Sequence, residues 1–459
     1  MSGLFGTLSI ALSSLTASQQ ELATTSNNVA NANTPGFSRQ RPVVVTGDPI
    51  VEASLSFGTG VVLQKIQSLR DPILEIQLNQ ATQQQSQLDT ALQQLQQLQT
   101  QFGSATSGIG ADISNFFNSL QQLAPDPSNL ALRQSVLTAA SNLAADFNTT
   151  ANSLQTQRAN IDLNVVQSVS AVNTLTAQIA SVNQQIGNLK NAGQDPSTLV
   201  DTQTSLIRQL AALVNVSVVP TDQGISLTTA NGTTLVSGSQ SFALSTQLGS
   251  DGVQHVLAGT SDITGSLTGG SLAGFIQVRD QEIPSLAGSL DQLAAGLATN
   301  LNTANARGID LNGNAGANLF APPPAGGVGA AATLTIAITD PALIAASSDG
   351  STGSNGNLAA LSAVATTPLA NGQTPIDSYS SIVFKIGNDT SNTSADANSS
   401  NLILQQLQDQ RGSISGVSLD EEAANLIQYQ SAYQAAARVV SAVDALLSDA
   451  VNLGIGSAV

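Results

Sequence analysis

Residues 8–29 read LSIALSSLTASQQELATTSNNV, and within them Leu8, Leu15, Leu22 and Val29 stand seven residues apart. The far end of the chain repeats the pattern with Leu419, Leu426, Tyr433, Val440 and Leu447. A seven-residue apolar period keeps one stripe of an α-helix turned toward a partner helix. The spacing predicts a helix over residues 4–31, another after 418, and a meeting of the two chain ends. Burying one Leu or Val side chain contributes about 1.5–3 kcal/mol, while ordering one residue's backbone costs about 1–2 kcal/mol. So short a stripe does not hold a lone helix of this length in water. Both end helices are expected to fray in a dilute monomer and to order against neighbouring subunits. Periodicity alone leaves open whether the two stripes pair within one chain or between chains.

Working inward, Thr34-Pro35-Gly36 stops the first helix, because proline disfavours helical backbone at Thr34 and Gly36 readily takes positive φ. Residues 37–66, with Val43-Val44-Val45 and Val61-Val62, read as short strands and turns. Asp71-Pro72 is an N-cap followed by a first-turn proline, and Leu88, Leu92, Leu95 and Phe102 then follow helical spacing. After Pro125-Asp126-Pro127 a helix is expected from Ser128 to Thr156. A separate heptad seam follows over 161–189, with Val165, Val172, Ile179 and Ile186 in one column and Leu175, Val182 and Leu189 in the other. Asp195-Pro196 opens a further helix. Residues 216–265 are rich in Val, Thr, Ser and Gly with an Asn231-Gly232 turn signal, the pattern of a β insert. Helical spacing returns over 274–306, with Pro284 at a kink or helix start. In the Gly-, Ala- and Ser-rich stretch 308–400, Leu334–Ile338 reads as a strand. Ser418-x-x-Glu421 is a capping box for the last helix.

The expected fold class is mainly α with β inserts (α+β): a long antiparallel, coiled-coil-like bundle formed by both chain ends, with small β domains projecting from the middle. The expected divisions are an axial-core helix over 1–34, an extended linker over 35–66 and a helical domain over 67–215. A β insert over 216–265, a returning helix over 266–307 and a second β or loop insert over 308–400 follow. The helical domain resumes over 401–414, and a C-terminal axial-core helix occupies 415–459.

Composition narrows the function classes. The 459-residue chain carries a net charge of −17, which repels nucleic acid and anionic membranes. It has no cysteine, so disulfides and thiolate metal sites are excluded. Aromatics are 3%, which leaves packing to aliphatic side chains. The first basic residue is Arg39, so no basic n-region of a secretory signal precedes the first helix, and any export is expected to bypass a cleaved signal. No apolar run is long enough to span a bilayer.

No catalytic constellation, cofactor motif or metal-ligand spacing emerges, and the expectation is a protein that is not an enzyme. The single histidine, His255, reads as a strand or turn residue. Asp420-Glu421-Glu422 point in different directions along a helix and suit its N-terminal dipole better than a cation. Tyr429 and Tyr433, four apart, share one helix face.

The residues after the first heptads are more specific. Ser26-Asn27-Asn28-Val29-Ala30-Asn31-Ala32-Asn33-Thr34-Pro35-Gly36-Phe37-Ser38-Arg39-Gln40 resembles the N-terminal signature of the flagellar rod, hook and hook-associated proteins. The Pro-Gly-Phe-Ser-Arg-Gln continuation is the form typical of the hook-associated protein 1 family. Ser415-Gly416-Val417-Ser418-Leu419-Asp420-Glu421-Glu422, Tyr429-Gln430 and Arg438 are similar to that family's last helix. The resemblance implies a non-enzymatic hook–filament junction component that self-assembles into a ring-like layer through its terminal helices. It also implies type III export, an export chaperone on the C-terminal helix, and the hook protein and the second junction protein as neighbours. The chain departs from the family at Gln203 and Thr204, where an ion-pair contact is expected to be missing. The rival in the same class is another hook or rod protein. The rival of a different class is a secreted adhesin or enzyme on a helical stalk, which would need a convergent polar cluster within 216–400.

Overall fold

The computed structural model describes residues 2–52, 55–103, 108–221 and 224–455. Helix α1 spans Ser2–Ala30, ending before the Thr34-Pro35 dipeptide. The linker that follows is a hairpin: β1 (Gln40–Thr46) and β4 (Val61–Ser68) pair antiparallel with a bulge at Val43/Val44. A smaller hairpin of β2 (Ile50–Glu52) and β3 (Leu55–Phe57) lies between them. The β1–β4 hairpin lies back along α1, close enough that a Cβ on Gly60 (φ 95°) would lie 3.3 Å from the Ile10 backbone.

Helix α2 (Pro72–Phe102) starts as its sequence requires, the Asp71 carboxylate accepting the Ile73 and Leu74 N–H groups. Helix α3 (Ile109–Leu123) is followed by α4 (Leu130–Asn191), capped by the Asn129 side chain. Sequence reading expects two helices over 128–156 and 161–189, but α4 is one uninterrupted helix of 62 residues. Nothing in residues 157–160 breaks it, since Gln, Arg, Ala and Asn are all tolerated in helix. Its two halves serve two cores. Val136, Leu143, Phe147 and Leu154 pack with α2, α3 and later helices, whereas Val165, Val172 and Ile179 pack with the β insert.

After α5 (Ser197–Leu213) come β5 (Ser217–Thr221), β6 (Gly224–Thr228), β7 (Thr234–Ser237) and β8 (Gln240–Ser241) in one antiparallel sheet of sequential order. β9 (Leu244–Leu248), β10 (Gln254–Ala258) and β11 (Ser261–Asp262) form a second. Leu227, Leu235, Val236 and Val256 are fully buried in one core with α4 and α5. The insert therefore shares its hydrophobic core with the helical shell. Removing it would bare Val165, Val172 and Ile179.

The returning helix is α6 (Gly270–Gln277), a π-helical turn at Val278–Glu282, and α7 (Ile283–Asn305), with Pro284 just after the π-turn. Next come α8 (Ala330–Thr333) and α9 (Gly356–Ala363). The strand expected at Leu334–Ile338 is absent; one isolated bridge, Phe320 to Ile336, is all that forms there, and Leu334 and Ile338 are buried as core loop residues. Helix α10 (Pro375–Ser415) begins 26 residues before the expected start at Asn401. Thr374 caps it and Pro375 takes its first position. Its Ser/Asn/Thr-rich stretch has weak intrinsic helicity, but Thr390, Ala397 and Ser400 are buried and α10 packs along α2, so tertiary contact overrides propensity. Helix α11 (Leu419–Ile455) closes the chain. None of the described helices is long and apolar enough to cross a membrane.

Candidate assembly site at the chain ends

Helices α1 and α11 pack against each other within one chain. Asn28, near the end of α1, meets Glu422, near the start of α11, so the pair is antiparallel. The expected heptad columns are only part of the seam. Leu8, Leu15 and Leu22 are half-buried, as are Leu426, Tyr433, Val440 and Leu447. Val29 is 42% exposed and Leu419 56% exposed, so the structure leaves these two outside the seam. The deepest positions belong to a second column: Ala11, Ser18 and Thr25 on α1, and Glu422, Ala436 and Val443 on α11, with Tyr429 half-buried between them. These alternate with the expected residues at spacings of four and three, which is the two-column geometry of a coiled coil. A search for large apolar residues passes over Ala11, Ser18, Thr25 and Ala436, whose small side chains let the helices approach closely and so end up deepest.

A seam of Ala, Ser and Thr buries little apolar area. Phe5, Ile10 and Leu12 on α1, with Ile427, Val439, Leu446 and Val451 on α11, remain exposed. Amide exchange on a dilute monomer is expected to be fast over residues 4–31 and 419–447 and slow over α4. Strong protection of the two ends would show that the pair is self-sufficient.

Where the pair joins the helical shell, the two sequence motifs interlock. The Asn28 side-chain amide donates to the Gln40 carbonyl (2.8 Å) and to Glu422 Oε2 (3.1 Å), while Gln40 N–H donates to Asn28 Oδ1 (2.9 Å). Arg39 Nε donates to Glu422 Oε1 at 2.7 Å and its Nη1 to Glu421 Oε2 at 2.5 Å, while its backbone N–H donates to the Ser415 carbonyl. Asn28 and Glu422 are each 1% exposed. Burial opposes the Arg39 charge, but the hydrogen bonds it donates to Glu421 and Glu422 and their negative charges outweigh it and hold its pKa above the ordinary value. Burial pushes the Tyr429 hydroxyl up, with Glu21 and Glu422 adding to the effect. Asn31 caps the end of α1 by donating to the Asn27 carbonyl, and Thr34 donates to Asn31. Gly36 takes φ 87° in the turn that follows, with Phe37 half-buried beside it. Gly416 is required because a Cβ there would strike the Gly412 carbonyl. Asn33, Pro35, Asp420 and Gln430 lie exposed.

A second set of charges, not anticipated from sequence, braces the same turn from the shell. Arg70 donates to buried Ser38 and to Asp201 on α5 (2.6 Å), and Arg411 at the end of α10 donates to the Gly36 carbonyl and to Glu75 on α2 (2.7 Å). Glu75 also accepts from Arg208 on α5 (2.8 Å). At positions 203 and 204, where an ion-pair contact is expected to be missing, no ion pair forms. Gln203 donates instead to Asn183, whose amide also donates to the Ile225 and Gly238 carbonyls of the β insert. Apart from the family spacing near Asp201, no local pattern marks these residues. Their partners lie on other helices. Satisfied polar networks of this kind specify one geometry between the elements they join. The arrangement ties the axial pair to the shell.

His255 lies on β10, away from this junction. Among the described residues no group of three or more His, Asp or Glu is placed to hold a metal ion.

Comparison with known proteins agrees with this layout. Residues 95–320 match the model of the flagellar hook-associated protein FlgK helical domain. Residues 8–37 match a flagella basal body rod protein model, and 410–453 match the C-terminal model of the flagellar basal body rod FlgEFG proteins. The flagellar hook-associated protein 1 of Bacillus subtilis is 30% identical over 99% of this chain and all of its own length. That of Escherichia coli is 28% identical over 96% of this chain and 98% of its own. The solved flagellar hook junction protein FlgK from Burkholderia pseudomallei shares the fold, with a TM-score of 0.68 at 19% identity, covering 74% of this chain and 100% of that one.

Proposed function

The chain belongs to the flagellar hook-associated protein 1 family, and from that membership we propose how its ends build the junction. It is a structural component of the bacterial flagellum at the hook–filament junction, related to structural flagellar proteins. It associates with hook and filament components. In the finer reading, the α1–α11 pairs of neighbouring copies pack side by side into a ring-like layer. Hook protein lies on one side and the second junction protein on the other. Before assembly, an export chaperone covers α11. The protein performs no catalysis; its work is mechanical.

The observation that carries this reading is the helix pair itself. It spends small residues on its internal seam and leaves Phe5, Leu12, Ile427 and Leu446 facing outward. An apolar surface of that kind on a slender two-helix element is suited to burial against neighbours. Leu8, Leu15, Leu22, Leu426, Tyr433, Val440 and Leu447 then serve both the internal seam and its rim, while Val29 and Leu419 serve the contact between copies. The motif residues from Asn28 to Gln40 and from Gly416 to Gln430 fix the angle at which the pair leaves the shell.

The test is Leu426→Asp. A carboxylate at the half-buried rim of α11 is expected to abolish incorporation while α2–α10 stay folded, as read by circular dichroism of the purified chain and electron microscopy of the cells. Normal filaments in a motile mutant would refute the reading.

A further inference from the structure

The chain's single histidine sits between two carboxylates. His255 Nδ1 lies 2.6 Å from Asp262 Oδ2 at β11, and its Nε2 lies 3.1 Å from Asp251 Oδ1 in the β9–β10 turn. The two contacts use opposite ring nitrogens, so the three residues do not converge on a metal ion. When both nitrogens carry protons, each donates to one carboxylate, and the ring bridges the turn before its strand and the strand after it. The neutral ring has one proton and satisfies only one side.

The surroundings are built for the ring. Gly249 lies against it, and a Cβ there would fall 2.6 Å from the imidazole Nε2 and Cδ2. Asp262 is held on its other oxygen by the Thr264 N–H (2.9 Å), and Thr264 Oγ1 accepts the Val256 N–H (2.8 Å). The cleft, 440 Å3, is lined by residues of β9, the turn, β10 and β11, with Asp251 and Asp262 as its only other charged groups. Residues 216–278 contain no Lys or Arg, so His255 is the one side chain there that can turn cationic. Beside it, the backbone of Gln254 is clasped by Asp162 of α4 and by Arg279 of the π-turn, so what happens at His255 bears on the insert's attachment to α4.

We propose that His255 is a proton-operated latch that fastens the 249–253 turn and β11 onto β10, closed when the imidazole is protonated and open when it is neutral. Hydrogen bonds donated to Asp262 and Asp251 raise the His255 pKa above its ordinary 6.5, while both aspartates are pushed below their ordinary 3.8. A raised histidine pKa contributes stability that is complete below 6.5 and lost as pH rises through the folded-state value. The depressed aspartates contribute above 3.8 and lose this as pH falls through their lower folded-state values. The latch's contribution to stability is therefore complete between 3.8 and 6.5; it is lost on the alkaline side as the imidazole gives up its proton and on the acid side as the aspartates take theirs.

Histidine NMR on the full chain reads the titration, and hydrogen exchange corrected for intrinsic rates reads the latch. The His255 resonance is expected to titrate above 6.5, with greater protection of β10 and β11 at pH 5.5 than at pH 8.5. Asp251→Asn/Asp262→Asn should return the resonance toward 6.5 and level the two protection values. Gly249→Ala, whose Cβ would crowd both Asp251 Oδ1 and the ring while keeping every charge, should do the same. A histidine that titrates at or below 6.5, or an acid–base difference in protection unchanged by either variant, would overturn the latch.

Discussion

Glu422→Ala is expected to leave hooks bare of filaments and to destabilise the join between the axial pair and the shell by about 2–4 kcal/mol. Glu422 is almost wholly enclosed and receives both Arg39 Nε and the Asn28 amide. Its removal takes one of two acceptors from the buried Asn28 amide and leaves the Arg39 guanidinium, only partly open to water, with Glu421 alone. The range sits below that of a fully buried pair because the Arg39 side chain keeps 21% of its exposure. Glu422→Gln keeps one acceptor and should lose less. A double-mutant cycle of Arg39→Ala with Glu422→Ala, read by denaturant titration, separates the pair from its surroundings. Additive losses and normal filaments would show that the two motifs only lie near each other.

Arg279→Ala is expected to cost about 3–5 kcal/mol, the range for breaking a buried ion pair. The Arg279 side chain is 0% exposed. It donates to Asp162 Oδ1 (2.7 Å), to the Gln254 carbonyl (2.7 Å) and to both oxygens of Asp280. Burial works against its charge, and Asp280 and Asp162 more than compensate, which leaves its pKa raised. Without the guanidinium, the Asp162 carboxylate, 15% exposed, stays enclosed beside the Gln254 N–H alone. The first segments to loosen should be β9–β11 and the π-turn, seen as early loss of exchange protection there and a lowered calorimetric transition. Asp162→Asn added to Arg279→Ala should recover part of the loss. An unchanged transition in Arg279→Ala would show that the node carries no net stability.

The same two sites show how far sequence reading reaches. The N-cap at Asp71, the stop at Thr34-Pro35 and the Asn231-Gly232 turn are written in adjacent residues, because each satisfies or frees a backbone group within a few positions. Helix α4 reads as two helices because its apolar pattern changes partners midway, from the helical core to the β insert. The start of α10 is hidden because Ser, Asn and Thr signal loops locally, and only the packing along α2 makes them helical. Only the pairing of Arg279 with adjacent Asp280 is local; its other partners, Asp162 and the Gln254 carbonyl, lie 117 and 25 residues away, and nothing beside it in the sequence points to them.

The sequence by itself determined that both ends are heptad helices and that two specific motifs flank them. Which residues share a helical stripe follows from 3.6 residues per turn and needs no partner. The depth of each column was decided only by the tertiary structure, since burial depends on how near the other helix lies. There the small residues Ala11, Ser18 and Thr25 went inside, while Val29 and Leu419 stayed out. Tertiary structure likewise decided that α1 and α11 pair within one chain, and that Asn28 and Arg39 close on Glu422. Residues 28 and 422 are separated by 394 positions, and hydrogen bonds across that distance are set by topology, which no local pattern encodes.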